Sequence, residues 1–295
     1  MLVSMDFPSK IAHFFTLKAA AHFLPKVSLL DNKAKRGRSL LFAGSGEYFG
    51  AGVLAAKAAL RAGSGYVILV NESSLEKSWN HPDIILRPLR NDQKKFIFSS
   101  VLVGPGYGVN EQTAEIIRQL KKQNIKRVIL DADALTVCAQ WNLFPLPSSW
   151  IMTPHEGELA RCLDISSSEV QANREKALQK ALEKFKCTVL LKGHGTLVGH
   201  KNKIYKIPTG NPALAKSGTG DVLAGIITAF RAQGLGATSA ALLGAYVHGA
   251  AANLWIAKER DPLSLTASDV IELLPEVLYR IRVSATANAQ SSRDV

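Results

Sequence analysis

Short β-rich runs alternate with longer helical patterns along nearly the whole chain, and this alternation restricts the fold more than any other feature. "SLLFAG" (39–44) and "GYVILV" (65–70) predict strands around the alanine-rich helix "AGVLAAKAALRAG" (51–63), which Gly63 closes. "SSVLVGPGYG" (99–108) predicts a buried strand and a glycine turn, and "EQTAEIIRQLKKQ" (111–123) a helix. "RVILDADAL" (127–135) predicts a strand ending in acids. "WIMTPHEGELARCL" (150–163) predicts a short strand, a turn at Pro154 and a helix. One helix is expected over 170–185, then strand, glycine turn and strand over 187–199. "DVLAGIITAFRAQG" and "ATSAALLGAYVHGAAANLWIAK" predict two further helices. The expectation is an α/β fold, a mostly parallel sheet with helices on both faces. Ligands of such sheets bind beyond the carboxyl ends of the strands. "GSG", "GPGYG", "GHGT" and "SGTG" each follow a strand or strand-like stretch, so backbone is expected to approach a ligand along one rim.

With 295 residues, 47% of them hydrophobic, the chain can bury a large core, as one α/β domain or two small ones. No apolar run reaches the ~20 residues of a membrane span. Lys18, His13 and His22 interrupt the start of the chain, which argues for an amphipathic first helix over a signal peptide. Cys138, Cys162 and Cys187 have no paired spacing, consistent with buried free thiols in a reducing cytoplasm. The formal charge of +12 attracts anions. The basic residues are dispersed and no nucleic-acid module is visible, so no nucleic-acid partner and no membrane are expected.

In "SGTGDVLAG", Gly218 and Gly220 bring free N–H groups to a helix start, an anion hole of Gly218, Thr219 and Gly220. Asp221 directly after it is either a helix cap or a general base beside a phosphoryl donor. "GSGEYFGAG" (44–52) approaches a dinucleotide fingerprint, which keeps a nicotinamide oxidoreductase in play with Glu72 as its ribose-binding acid; a tight packing turn is the alternative. Asp131 and Asp133 suit a magnesium ion or a helix cap. Thr153 or His155 stands near a helix start, with Glu156 and Glu158 complementing its dipole. Lys192 and Thr196 around a glycine turn suit a phosphate or an adenosine edge, and Lys192→Ala is expected to weaken nucleotide binding with the fold intact. His248 is expected to be a packed core histidine.

Taken in order, "GSGEYFGAG", "AALRAGSGYV", "GPGYG", "LDADAL", "TPHEGELARC", "LLKGHGT", "NPALAKSGTGDVLAGII" and "AYVHGAAA" resemble the ADP/ATP-dependent NAD(P)H-hydrate dehydratases of the ribokinase-like superfamily, from about Lys33 to Arg280. The resemblance implies a ribokinase-like three-layer sandwich over 33–282, an N-terminal helical extension (1–32) and a polar tail (283–295), with no epimerase domain. It implies a homo-oligomer, a tetramer in the family. It implies repair of NADH or NADPH hydrated at C6: the hydroxyl is phosphorylated by ADP, or ATP in some members, with Mg²⁺, and elimination of phosphate restores the cofactor. By position, Ala51, Gly106 and His155 resemble hydrate-binding residues. Lys192, Gly193, His194, Gly195, Thr196 and Gly220 resemble the nucleotide site, and Asp221 the residue that touches the hydrate and acts as base. Metal ligands are not implied. Glu156 and Ser217 depart from the family's usual proline and glycine. A hydroxyethylthiazole-kinase-type enzyme shares "GTGD", but "TPHEGE" and "NPALA" argue against it. A non-catalytic nucleotide binder would have no use for Asp221.

Overall fold

The computed structural model describes residues 13–71, 80–89 and 97–291, with side chains through Ser284. Its strands are β1 (His13–Phe14), β2 (Arg38–Phe42), β3 (Tyr66–Asn71), β4 (Ile85–Pro88), β5 (Ser100–Val103), β6 (Val128–Leu130), β7 (Ile151–Met152), β8 (Thr188–Leu191), β9 (Leu197–His200) and β10 (Lys203–Lys206). They form one sheet in the order β1-β10-β9-β8-β7-β6-β5-β2-β3-β4. Only β9 runs antiparallel to its neighbours, β8 and β10; the other pairings are parallel. The helices are α1 (Leu17–Phe23), α2 (Phe49–Arg61), α3 (Glu111–Lys122), α4 (Asp133–Gln140), α5 (Glu156–Leu163), α6 (Ser167–Ala172), α7 (Arg174–Phe185), α8 (Thr219–Ala232), α9 (Ala237–Ala257) and α10 (Ala267–Ser291).

The period of two along each strand sorts side chains into two cores. Leu41, Leu69, Leu102 and Ile129 face α1, α2, α8, α9 and α10. Leu40, Phe42, Val101, Val103, Val128 and Leu130 face α3 to α7. Both faces are buried, which is why these strands read as continuous apolar runs. The mostly parallel sheet with helices on both faces expected from the alternation is therefore the fold, and it is the three-layer sandwich that the resemblance implies. On the first face α2 and α8 meet backbone to backbone: a Cβ on Gly225 would lie 2.2 Å from the Ala55 carbonyl oxygen.

Several local expectations change. The helix expected over 170–185 is two, because Asn173 leaves helical geometry and its side chain accepts from the Lys176 N–H, starting α7 anew. The strand in "RVILDADAL" stops at Leu130, and α4 begins at Asp133. Residues 13–24 join the fold: β1 pairs with β10, and Phe15, Ala20 and Leu24 enter the first core. α10 continues through Ser291 into the expected tail. α9, at 21 residues, is long and apolar enough to cross a membrane, contrary to expectation, but most of it is packed inside this fold. Burial raises the pKa of all three cysteine thiols, which are free and buried.

Because β2, β5, β6, β7 and β8 run the same way, the loops 43–48, 104–110, 131–132, 153–155 and 192–196 share one rim. β10 also ends there, and its connection to α8 passes through a 3-10 turn at Pro212–Leu214. "SGTG" thus follows this turn and not a strand.

Candidate active site

A cavity of about 490 Å³ opens at this rim. Lys192, Gly193, His194, Gly195 and Thr196 form one wall; Thr209 to Pro212, Leu214 and Ala215 form another. The start of α8 contributes Thr219 and Gly220, and His155, Leu223, Ala245, His248 and Gly249 complete the lining. All of the expected nucleotide residues thus meet around one cavity. The 209–215 wall was not assigned from sequence, although "NPALA" marked it; Asn211 caps its 3-10 turn and donates to Asn253 Oδ1 at 3.1 Å.

Ala51 and Gly106 are not in this lining. They abut each other instead: a Cβ on Gly106 would lie 3.1 Å from Ala51 Cβ and 2.6 Å from Tyr48 Cβ. Asp221 is also outside the lining.

The start of α8 decides the cap reading of Asp221. Gly218 is the N-cap residue, with φ +87°, and Asp221 sits three residues into the helix. The cap reading of Asp221 is therefore overturned. The N–H groups of Gly218, Gly220 and Asp221 have no acceptor among the described residues, while Thr219 N–H makes a long bond to the Lys216 carbonyl at 3.4 Å. Thr219 Oγ1 donates to the Leu214 and Lys216 carbonyls, tying the turn to the helix. Ser217 is exposed at the turn's edge. Burial, followed by repulsion from Asp131, raises the Asp221 carboxyl to a pKa of about 7; Lys192 opposes this and Asp133 and Glu158 reinforce it. No hydrogen bond holds the carboxyl among the described residues, so it is free to take a proton.

Lys192 stands over this helix start, its Nζ 3.6 Å from where a Cβ on Gly220 would lie. The Nζ donates to Asp131 Oδ1 at 2.8 Å and lies 3.5 Å from Glu158 Oε2. Burial alone would lower its pKa; Asp131 and Glu158 outweigh that and raise it, keeping the ammonium charged. Asp131 also accepts from Thr153 Oγ1 at 2.7 Å. Asp133 Oδ2 instead accepts from the Gly108 N–H at 2.8 Å, fastening "GPGYG" to α4. Ala132 between the two acids has φ +49° and ψ −117°, a costly backbone for an L-residue that splits them toward different partners. Neither acid caps α4 with its side chain.

His155 is the N-cap of α5: its Nδ1 accepts from the Gly157 and Glu158 N–H groups, and Glu158 completes the capping box. Its exposed ring also borders the cavity. His248 is buried, as expected, but in the cavity wall; desolvation lowers its pKa to about 4, which keeps the ring neutral. Glu72 lies outside the described residues. Among the described residues no group of three or more His, Cys, Asp or Glu is arranged to hold a metal ion.

The sheet, its helical layers and the rim cavity define an α/β sandwich of the ribokinase-like class. A ribokinase-like superfamily protein from Enterococcus faecalis has this fold, with a TM-score of 0.80 at 22% identity over 92% of this chain and 96% of that one. Residues 39–276 match the family model described as NAD(P)H-hydrate dehydratase, and the chain belongs to that family. It is 37% identical over 233 residues to the ADP-dependent (S)-NAD(P)H-hydrate dehydratase of Neisseria meningitidis, covering 76% of this chain and 79% of that protein. The ADP/ATP-dependent NAD(P)H-hydrate dehydratase of Bacillus subtilis, co-crystallised with ATP and Mg²⁺, superimposes with a TM-score of 0.83 at 28% identity, covering 92% of this chain and 100% of that one. It is also 34% identical to the bifunctional NAD(P)H-hydrate repair enzyme Nnr of Dictyoglomus turgidum, covering 85% of this chain and 53% of that protein. The chain thus spans about half the length of the bifunctional relatives it matches.

Proposed function

We propose that this chain is an ADP-dependent (S)-NAD(P)H-hydrate dehydratase. The observation that carries the reading is Asp221: a half-buried, unbonded acid with a pKa of about 7, directly after unspent helix N–H groups. The adenine nucleotide occupies the cavity, and the hydrate lies toward Ala51 and Gly106. Asp221 takes the proton of the C6 hydroxyl as its oxygen bonds to the β-phosphorus of ADP. The bond from that phosphorus to the bridging oxygen breaks, and AMP leaves. The N–H groups of Gly218 and Gly220 and the Lys192 ammonium stabilise charge on the transferring group. The C6–O bond then breaks, phosphate departs, a proton is lost from C5, and the ring's double bond is restored.

Among the described residues no site made by this chain alone fits a magnesium ion, since Asp131 and Asp133 are committed to Lys192 and to Gly108. Nucleotide phosphates can carry such an ion, and no step above depends on it. The proposal extends to a cytoplasmic homo-oligomer, which light scattering in solution checks.

The test is the absorbance at 340 nm of hydrated NADH mixed with ADP, Mg²⁺ and the protein. The reading expects recovery of NADH with stoichiometric AMP and phosphate. AMP release with accumulation of a phosphorylated hydrate would make the chain a kinase, and consumption of NADH would make it an oxidoreductase.

A further inference from the structure

Arg174, the first residue of α7, carries no mark in the sequence. Its guanidinium nevertheless gathers the carbonyls of the "LLKGHG" turn. Nη1 donates to the His194 carbonyl and, at 3.4 Å, to that of Gly195. Nη2 donates to the Lys192 carbonyl at 2.9 Å and the Leu191 carbonyl at 3.3 Å. Nε lies 3.1 Å from Glu156 Oε1, an ion pair across the α5 start. A planar fork can serve several carbonyls at once; a lysine ammonium cannot hold that geometry.

Thr196 Oγ1 donates to the Gly193 carbonyl at 3.0 Å, and the Ile207 N–H donates to the Thr196 carbonyl at 2.9 Å. The N–H groups of Gly193, His194, Gly195 and Thr196 have no acceptor among the described residues, and all four residues line the cavity. Gly193 has φ +129°, and a Cβ there would lie 2.9 Å from Arg174 Nη2. Its missing side chain makes room for the guanidinium.

We propose that Arg174, aimed by Glu156, is the positioning residue of the nucleotide loop: it binds the loop's carbonyls and so presents the N–H groups of Gly193–Thr196 to the acceptor atoms of an adenine nucleotide. The inference rests on the nucleotide reading of the cavity. It also accounts for Glu156 in place of the family's usual proline. That position is the first residue of α5, where proline is well accommodated, and glutamate there adds a carboxylate facing Arg174.

The test compares ADP and ATP binding by calorimetry, together with steady-state kinetics, for the wild type and for Arg174→Lys, Arg174→Ala and Glu156→Pro. Arg174→Lys is expected to weaken nucleotide binding at least about tenfold, the loss of a charged hydrogen-bond set. The kcat at saturating nucleotide and the KM for hydrate should stay within about threefold, the size of a lost half-buried ion pair. Added guanidinium ion should restore part of the nucleotide affinity of Arg174→Ala. Glu156→Pro should weaken nucleotide binding about threefold with the melting temperature unchanged. If the wild type binds both nucleotides and folded Arg174→Lys and Glu156→Pro bind them equally well, the positioning role is overturned and the nucleotide reading stands. A lower melting temperature with no guanidinium rescue also overturns it, as a merely structural role. A wild type that binds neither nucleotide overturns the nucleotide reading and this inference with it.

Discussion

Both halves of the rim are rich in glycine, but protein takes up more of the loop N–H groups on one half than on the other. On the Ala51 side Gly52 and Gly104 make room for protein. A Cβ on Gly52 would lie 2.7 Å from the Ala43 carbonyl oxygen, and one on Gly104 1.8 Å from that of Asp131. The Gly108 N–H is spent on Asp133. On the cavity side, a Cβ on Gly220 meets only Lys192 Nζ at 3.6 Å, an ordinary contact, and the N–H groups of Gly193, Gly195, Gly218 and Gly220 are unspent. Glycine content alone therefore does not locate a ligand. Unspent N–H groups lining a cavity are the better guide, because the acceptor atoms of a ligand can pair with them.

The sharpest test of the contrast is at the junction of the halves. Asp221→Asn removes the proposed base and should slow NADH recovery by about 10²–10⁴-fold while nucleotide still binds. Wild-type kcat/KM should rise as pH passes about 7, where Asp221 ionises, and a flat profile would move the base elsewhere. Stability should show the opposite slope. The folded pKa lies above the unfolded one, so the folded state holds more protons between them and loses stability as pH rises from about 4 to about 7. Asp221→Asn should remove that slope and melt above the wild type at pH 8. A variant less stable than the wild type there would mean that the carboxylate is a structural partner.

Lys192→Ala comes next, and here the structure revises the expectation of an intact fold. Removing the ammonium leaves Asp131 and Glu158 uncompensated, at a cost of about 3–5 kcal/mol in chemical denaturation. An unchanged midpoint would show that water compensates both acids. Gly104→Ala combines a collision with φ +127° and should cost about 3 kcal/mol without a specific effect on nucleotide affinity in whatever remains folded. The smallest effect on folding belongs to Gly220→Ala. Its stability should be unchanged or higher by about 0.5–1 kcal/mol, while ADP affinity falls about tenfold from an obstructed charged hydrogen bond. Equal effects of the two alanine substitutions on stability would erase the distinction between the halves.

The sequence by itself determined what depends on neighbours a few residues away. Strand and helix periods, and with them the two-faced sheet, follow from apolar spacing along short segments such as "SLLFAG" and "AGVLAAKAALRAG". The same holds for the grouping of glycines at strand ends and for an acid at the start of α8. Asp221 was legible as a candidate because glycines and acid are adjacent in the chain. The tertiary structure alone decided which glycines make room for protein, that Asp131 serves Lys192 while Asp133 serves Gly108, and that Asn173 splits a helix so that Arg174 reaches the turn at 192–196. Lys192 and Asp131 are 61 residues apart, and Arg174 and His194 20 apart. No local period encodes such pairs. A charged side chain finds its partner only after the sheet has brought distant strand ends to one rim, where desolvation makes an unpaired charge too costly to leave.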